Sequence, residues 1–265
     1  MCRSPRSSLR KPLASSTTIS RSAAILTTLF ISDLHLDAER PAVTDQFLAF
    51  LKGEAAGADA LYILGDLFES WVGDDDPNPH YATVKNGLRR LTNKNVAVYF
   101  MHGNRDFAIG ERFAEETGVR ILPDPQVVDL YGENVLLSHG DAYCTDDVQY
   151  QTVRKMTRNP DWLTMMLAKP LQERLAFAAQ ARAASAAHGG TINEKIADVN
   201  QDAIEQALRK ASVDTILHGH THRPGQHRFT VDGEPASRIV LGAWFEQGSL
   251  VRWDKHGPQL NVLKR

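Results

Sequence analysis

The chain has 265 residues, 42% hydrophobic and 23% charged, with 18 Gly, 12 Pro and a formal net charge of −2. That usage excludes collagen-like, coiled-coil and wholly disordered chains, and the charge balance gives no general attraction for nucleic acid. Two cysteines, Cys2 and Cys144, rule out a disulfide scaffold, in keeping with a reducing cytoplasm, and no apolar run reaches the roughly 18 residues that span a bilayer.

Residues 1–22 are rich in Ser and Arg and hold no acid, a composition shared by signal peptides, transit peptides, disordered extensions and starts assigned too far upstream. Ala23 to Ile31 resembles a short signal h-region, yet it runs straight into S-D-L-H-L with no small-residue cleavage site. The reading adopted is a disordered or spurious extension over 1–24 and one folded domain over 25–265.

Within that domain, short apolar runs read as strands: Leu29–Ile31, Ala60–Leu64, Val96–Met101, Val135–Ser138 and Thr215–Leu217. Helical spacings lie between them, as in Val43, Phe47, Phe50 and Leu51, and again from Ile192 through Ile196, Val199, Ala203 and Ala207. Arg238–Leu241 and Ser249–Trp253 read as a final antiparallel pair around E-Q-G. The alternation predicts a layered α/β domain. From about 146 to 190 the rhythm breaks. Only helix-forming sequence is found there, interrupted by Pro160 and Pro170, with an Ala-rich helix from Leu171 to Ala187 ending at Gly189-Gly190. This stretch is expected to be a helical insertion or lid, the plainer alternative being an ordinary helical layer.

Polar residues stand where the strands stop. The first ends in D-L-H (Asp33, His35), the second in G-D (Asp66) and the third in H-G-N-R-D (Asn104, Arg105). The fourth ends in S-H-G-D (His139) and the fifth in H-G-H-T-H (His220, His222). In an extended segment, residues two apart share a side, which would pair Asp33 with His35 and His220 with His222. In open α/β sheets ligands bind at the carboxyl ends of strands. Two aspartates, four histidines and an asparagine offer mixed N/O ligation suited to Mn²⁺, Fe²⁺, Co²⁺ or Zn²⁺. Seven ligands exceed the need of one ion, so two are expected, one aspartate bridging them to offset repulsion between dications roughly 3.5–4 Å apart.

In that order, D-L-H, G-D, G-N, H and G-H-T-H resemble the calcineurin-type metallophosphoesterases. The resemblance implies a layered sandwich with the helical insertion over the active site. Asp33, His35, Asp66 and His222 would hold one metal, and Asp66, Asn104, His139 and His220 the other. It narrows further: L-Y-I-L-G-D-L-F-E-S-W-V-G-D-D-D-P, H-G-N-R-D-F, H-G-D-A-Y-C-T-D-D, D-V-N-Q and L-H-G-H-T-H-R-P are similar to the UDP-2,3-diacylglucosamine hydrolase family of lipid A synthesis. That family implies cleavage of a UDP-lipid diphosphate to UMP and 2,3-diacylglucosamine 1-phosphate, a hydroxide held by two Mn²⁺ ions attacking the α-phosphorus. It also implies a cytoplasmic protein, peripheral on the inner membrane, and substrate contacts at Asn104, Arg105, Asp147, Ser185 and His220. Asp66 and Arg105 would act catalytically. A monomer without a nucleic-acid partner is expected. A fixed cation at Arg105 suits a phosphate leaving group, which needs charge pairing more than a proton. The family's lid asparagine and lysine fall on Gly189 and Ile192, the nearest lysine being Lys195.

Other polar residues read more plainly. Asp74, Asp75 and Asp76 fit an acidic turn before Pro77. His102 and His218 fit packed groups behind the ligands, and nothing near Cys144 suggests a nucleophile. Arg154, Lys155, Arg158, Lys169, Arg174 and Arg182 suit either anionic lipid headgroups or a solvated helix face.

Overall fold

The computed structural model describes residues 26–189, 196 and 198–262. The expected extension over 1–24, and with it Ile192 and Lys195, lie outside these residues. Strands come in the order β1 (Thr28–Ile31), β2 (Ala60–Leu64), β3 (Ala97–Met101), β4 (Arg120–Leu122), β5 (Gln126–Leu130) and β6 (Glu133–Ser138). After a long interval follow β7 (Thr215–His218), β8 (Gly225–Val231), β9 (Glu234–Val240), β10 (Ser249–Asp254) and β11 (Gly257–Val262).

Two sheets result. One has the order β11-β10-β1-β2-β3-β4, with β1 to β4 parallel and β10 antiparallel to β1. The other has the order β5-β6-β7-β9-β8, with β6, β7 and β9 parallel. The expected pairing of Arg238–Leu241 with Ser249–Trp253 is therefore wrong. β9 pairs with β7 and β8, while β10 crosses to the other sheet beside β1. Both segments are apolar and close in sequence, and periodicity alone does not say which neighbour a strand chooses.

The strands read as continuous apolar runs because both faces are buried. In β1, Phe30 points between the sheets with Leu64, Met101, Val135, Leu137, Leu217 and Trp253. Leu29 and Ile31 face the opposite way, onto helices α1 (Pro41–Lys52), α2 (Pro79–Thr92) and α3 (Glu111–Thr117) through Phe47, Leu88 and Phe113. The second sheet repeats this with Leu136 and Ile216. These meet Ile204 and Leu208 on the helix Gln201–Ala211. The layers thus run helix, sheet, sheet, helix.

Between β6 and β7 lie α4 (Val148–Thr157), α5 (Pro160–Leu167) and α6 (Leu171–Gly189), then α7 (Gln201–Ala211). Among the described residues of this interval there is no strand, as expected. Asn159 caps α5 with Pro160 at its first turn, placing a boundary where a proline costs no hydrogen bond. The helix expected from Ile192 instead begins at Gln201, where the Asn200 side chain accepts from Ala203 N. Ile196 sits in a turn. An asparagine that can satisfy an orphan backbone N–H outweighed the apolar spacing that continues upstream.

Candidate active site

Every strand-end motif arrives at one place, where the carboxyl ends of β1, β2 and β3 meet those of β6 and β7. Asp66 is at the centre: its Oδ2 lies 3.5 Å from His35 Nε2 and its Oδ1 3.8 Å from His139 Nε2. On one side, Asp33 Oδ1 stands 3.4 Å from His222 Nε2 and 4.0 Å from His35 Nε2. On the other, Asn104 Oδ1 is 3.0 Å from both His139 Nε2 and His220 Nδ1. All seven side chains singled out in the sequence converge.

The local reason for convergence differs from the extended geometry expected. Asp33, His35, Asp66, His220 and His222 have φ of 55, 50, 52, 69 and 56°, in the left-handed region that non-glycine residues seldom adopt. β1 ends at Ile31 and β7 at His218, so these residues turn off the strands. The turn aims each side chain at the centre, and packing on both sides holds the strain. Glycine is required beside them: a Cβ on Gly103 would collide with the Asp66 carboxylate, and one on Gly219 with that of Asp33.

The donor set fits two cations. Asp33 with His35 and His222, and Asp33 and Asp66 with His139, bring ligand atoms within 4.8 Å of one another, close enough to share an ion. Asp33 Oδ1 is buried without a hydrogen-bond partner among the described residues. Burial opposes a charge on His139, yet Asp66, Asp141 and Asp33 pull its imidazole up to about 9. Such a surplus of buried negative charge calls for bound cations. The residues present therefore suit a dinuclear metal site.

Carboxylates that the sequence reading passed over support the centre. Asp106 accepts from the backbone N–H groups of Leu67 at 2.7 Å and Gly103 at 2.8 Å, tying the Asp66 loop to the Asn104 loop. Burial and the neighbouring Asp66 raise its carboxyl to about 7. Asp141 is fully buried and accepts from Tyr150 Oη at 2.8 Å, with Arg154 Nε at 3.0 Å. The Tyr150 ring lies 5.5 Å from that of His220. Glu69 stands 3.2 Å from His35 Nδ1. Asp106 and Asp141 were in view within R-D and H-G-D, but a single acid carries no spacing signal.

Beside the centre, α4, α5 and α6 leave a cavity of about 340 Å³ against the body. Trp71, Phe107, Met156, Trp162, Met166 and Phe177 line it, and Asn104 and Arg105 stand at its polar end. Ser185 also lines it, whereas the Asp147 carboxylate caps α4, accepting from Tyr150 N at 2.9 Å. Three basic residues read as lipid-headgroup or solvent-facing turn inward instead. Arg154 and Arg158 reach Asp141, and Arg174 reaches Asp75 and the Val72 carbonyl. The buried Asp141 outcompetes water for Arg154 and Arg158, and the buried Val72 carbonyl, with the exposed Asp75, holds Arg174.

The acidic turn holds structural roles, as expected. Asp74 accepts from Trp71 Nε1, Gly110 N and Phe113 N, anchoring the start of α3. His102 contacts the Ile109 carbonyl at 2.7 Å, and burial lowers His218 to about 4. Cys144 is buried, and burial pushes its thiol up to about 12, away from a reactive thiolate.

Fold and site together define a class. Residues 26–224 match the calcineurin-like phosphoesterase family, to which the chain belongs. Within it, the chain is 50% identical over 247 residues to UDP-2,3-diacylglucosamine hydrolase of Stenotrophomonas maltophilia (strain K279a), covering 91% of this chain and 100% of that one. The hydrolase of the same description from Enterobacter sp. (strain 638) is 51% identical over 235 residues, covering 89% and 98%. The chain is thus a member of the UDP-2,3-diacylglucosamine hydrolase family.

Proposed function

We propose that this chain hydrolyses the diphosphate of UDP-2,3-diacylglucosamine to UMP and 2,3-diacylglucosamine 1-phosphate. The observation that carries this reading is the placement of a seven-residue polar centre at one end of an apolar groove of about 340 Å³. Hydrolysis of a nucleotide diphosphate needs the first, and acyl chains need the second. The names of the relatives supply the particular substrate.

Asp33, His35, Asp66 and His222 would hold one divalent cation, and Asp66, Asn104, His139 and His220 the other. When bound, Mn²⁺ would supply an activated water and neutralise phosphoryl charge for in-line attack at the α-phosphorus. The chain's own groups do the rest. Arg105, whose backbone N–H already donates to Asp66 Oδ1 at 2.8 Å, presents a permanent cation to the diphosphate oxygens. Asn104 and His220 steady the same oxygens. Asp147 and Ser185 meet the sugar head group, and α4–α6 act as a lid that keeps water from the acyl chains.

The chain works as a monomer, without nucleic acid, on the cytoplasmic face of the inner membrane. No helix among the described residues is long and apolar enough to cross a membrane. Val148, Met165, Leu167 and Leu175 are exposed on α4–α6, close in sequence to Lys155 and Lys169, a composition suited to an anionic lipid surface.

The deciding experiment is UMP release by metal-stripped protein after Mn²⁺ is restored, with the acylated substrate run beside its deacylated counterpart. Release that needs both metal and acyl chains supports the assignment. Equal release from both would leave the diphosphatase and remove the lipid specificity.

A further inference from the structure

Glu69 belongs to none of the candidate ligands, yet it stands at the junction between the metal centre and the groove. It lies three residues after Asp66. The bridge between Leu36 and Phe68, and its own N–H donating to the Leu36 carbonyl at 3.1 Å, fix its backbone beside the His35 turn. Its Oε2 is 3.2 Å from His35 Nδ1 and accepts from Arg40 Nη2 at 2.7 Å, while Oε1 is 3.9 Å from Arg105 Nη1. Arg40 also donates to the His35 carbonyl at 3.0 Å, and its guanidinium lies 5.0 Å from the centre of the Phe245 ring. That ring in turn meets His35 and His222 edge-on at 5.4 and 5.5 Å.

Building on the dinuclear hydrolase reading, we infer that Glu69 is a positioning residue that orients a metal-binding imidazole, His35, and a substrate-binding guanidinium, Arg105, from one carboxylate. His35 Nδ1 lies 3.2 Å from Glu69 Oε2 without being aligned on it as a hydrogen bond; a proton drawn to Nδ1 by this carboxylate leaves the Nε2 lone pair, 3.5 Å from Asp66 Oδ2, for a cation. On its other oxygen, the carboxylate holds Arg105 at the mouth of the groove. The weak 3.9 Å approach lets an incoming phosphate oxygen take the guanidinium over. Arg40 Nη2 at 2.7 Å and Arg105 Nη1 at 3.9 Å are the cations that partner the Glu69 carboxylate.

The two arms separate on substitution. In Glu69→Gln an amide oxygen stays within reach of His35 Nδ1, while the charge that holds Arg105 is gone. In Glu69→Ala both are lost. The test is Mn²⁺ titration of metal-stripped protein, followed by electron paramagnetic resonance of the free ion, together with KM and kcat for UMP release. Loss of an outer carboxylate behind a ligating histidine costs about 10–100-fold in affinity, which is the drop expected for Glu69→Ala, against about threefold or less for Glu69→Gln. KM rises severalfold in both. A purely structural role would lower the melting temperature without splitting metal affinity from KM. The inference is overturned if folded Glu69→Ala binds Mn²⁺ like the parent with unchanged KM. Should Glu69→Ala not fold, an unchanged KM in Glu69→Gln overturns it. Metal titration needs no turnover. Failure of the parent to release UMP would count against the lipid substrate, leaving the Mn²⁺ comparison to judge Glu69.

Discussion

The Nε2 atoms of His35 and His222, 187 positions apart in sequence, face each other at 3.4 Å with the Asp33 and Asp66 carboxylates beside them. Two imidazoles turned toward one point, flanked by acids, present a cation with its ligands already in place. Metal should therefore stabilise the fold. At a hundredfold excess over its dissociation constant, a bound ion contributes about 2.7 kcal/mol. For a chain of this size that is a rise of about 5–10 °C in melting temperature on adding Mn²⁺ to chelator-treated protein. Scanning fluorimetry reads it directly, and His222→Ala should forfeit much of the rise. An equal rise in that variant would place the ion elsewhere.

Gly103 is packed against the Asp66 carboxylate and backbone with no room for a methyl group. Gly103→Ala must displace the group at the centre of the site. Misplacement of about 1 Å costs on the order of 10²-fold in rate, so UMP release should fall at least that far. Circular dichroism should show the strands intact, because the collision is confined to the loop. Parent-like turnover would disprove the crowding.

Arg174 on α6 is buried and donates to the Val72 carbonyl at 2.6 Å, while pairing with Asp75. Removing it leaves a buried carbonyl unpaired at a cost of about 1–3 kcal/mol. Arg174→Ala should speed hydrogen exchange across α6 and weaken the acylated substrate more than a water-soluble one. There is a pH counterpart. The guanidinium holds the Asp75 carboxyl below its ordinary value of 3.8. The contribution of the pair is complete above that value and lost as acid protonates Asp75 below it. Exchange in α6 that is indifferent to acid would remove Asp75 from the account.

Ala178 lines the apolar groove together with Trp162 and Met166. Ala178→Trp fills space reserved for acyl chains in the proposed reading. KM for the acylated substrate should rise about tenfold, equivalent to losing one or two buried methylenes at ~0.8 kcal/mol each. Hydrolysis of the deacylated counterpart should hold steady, and paired kinetics on the two substrates would decide.

The layered fold and the seven converging side chains could be read directly, because strands buried on both faces leave unbroken apolar runs and the polar residues fall where those runs stop. Pairing was less legible. Arg238–Leu241 and Ser249–Trp253 look like a hairpin, but they belong to different sheets because neighbour choice depends on surfaces formed far away in sequence. The left-handed turns at Asp33 and His220 were hidden too, since no local propensity favours them and the completed site imposes them. Glu69, Asp106 and Asp141 escaped notice because their partners, His35, Leu67 and Arg154, come from other elements. Arg154, Arg158 and Arg174 read as facing lipid headgroups or solvent for the same reason: helical spacing does not reveal the Asp141 carboxylate or the Val72 carbonyl across the interface.

The parallel pairing of β6 with β7 sets Val135 opposite Thr215, and the whole interval bearing α4–α7 enters and leaves beside this one ladder. His139 and His220 sit just past its two strands. Closing a longer or shorter loop there changes the chain entropy only logarithmically. The interval can thus be lengthened, shortened or recast while the ladder keeps both histidines in register. A hydrolase built this way can exchange the molecules it accepts by swapping a cassette, leaving its reaction centre as inherited hardware.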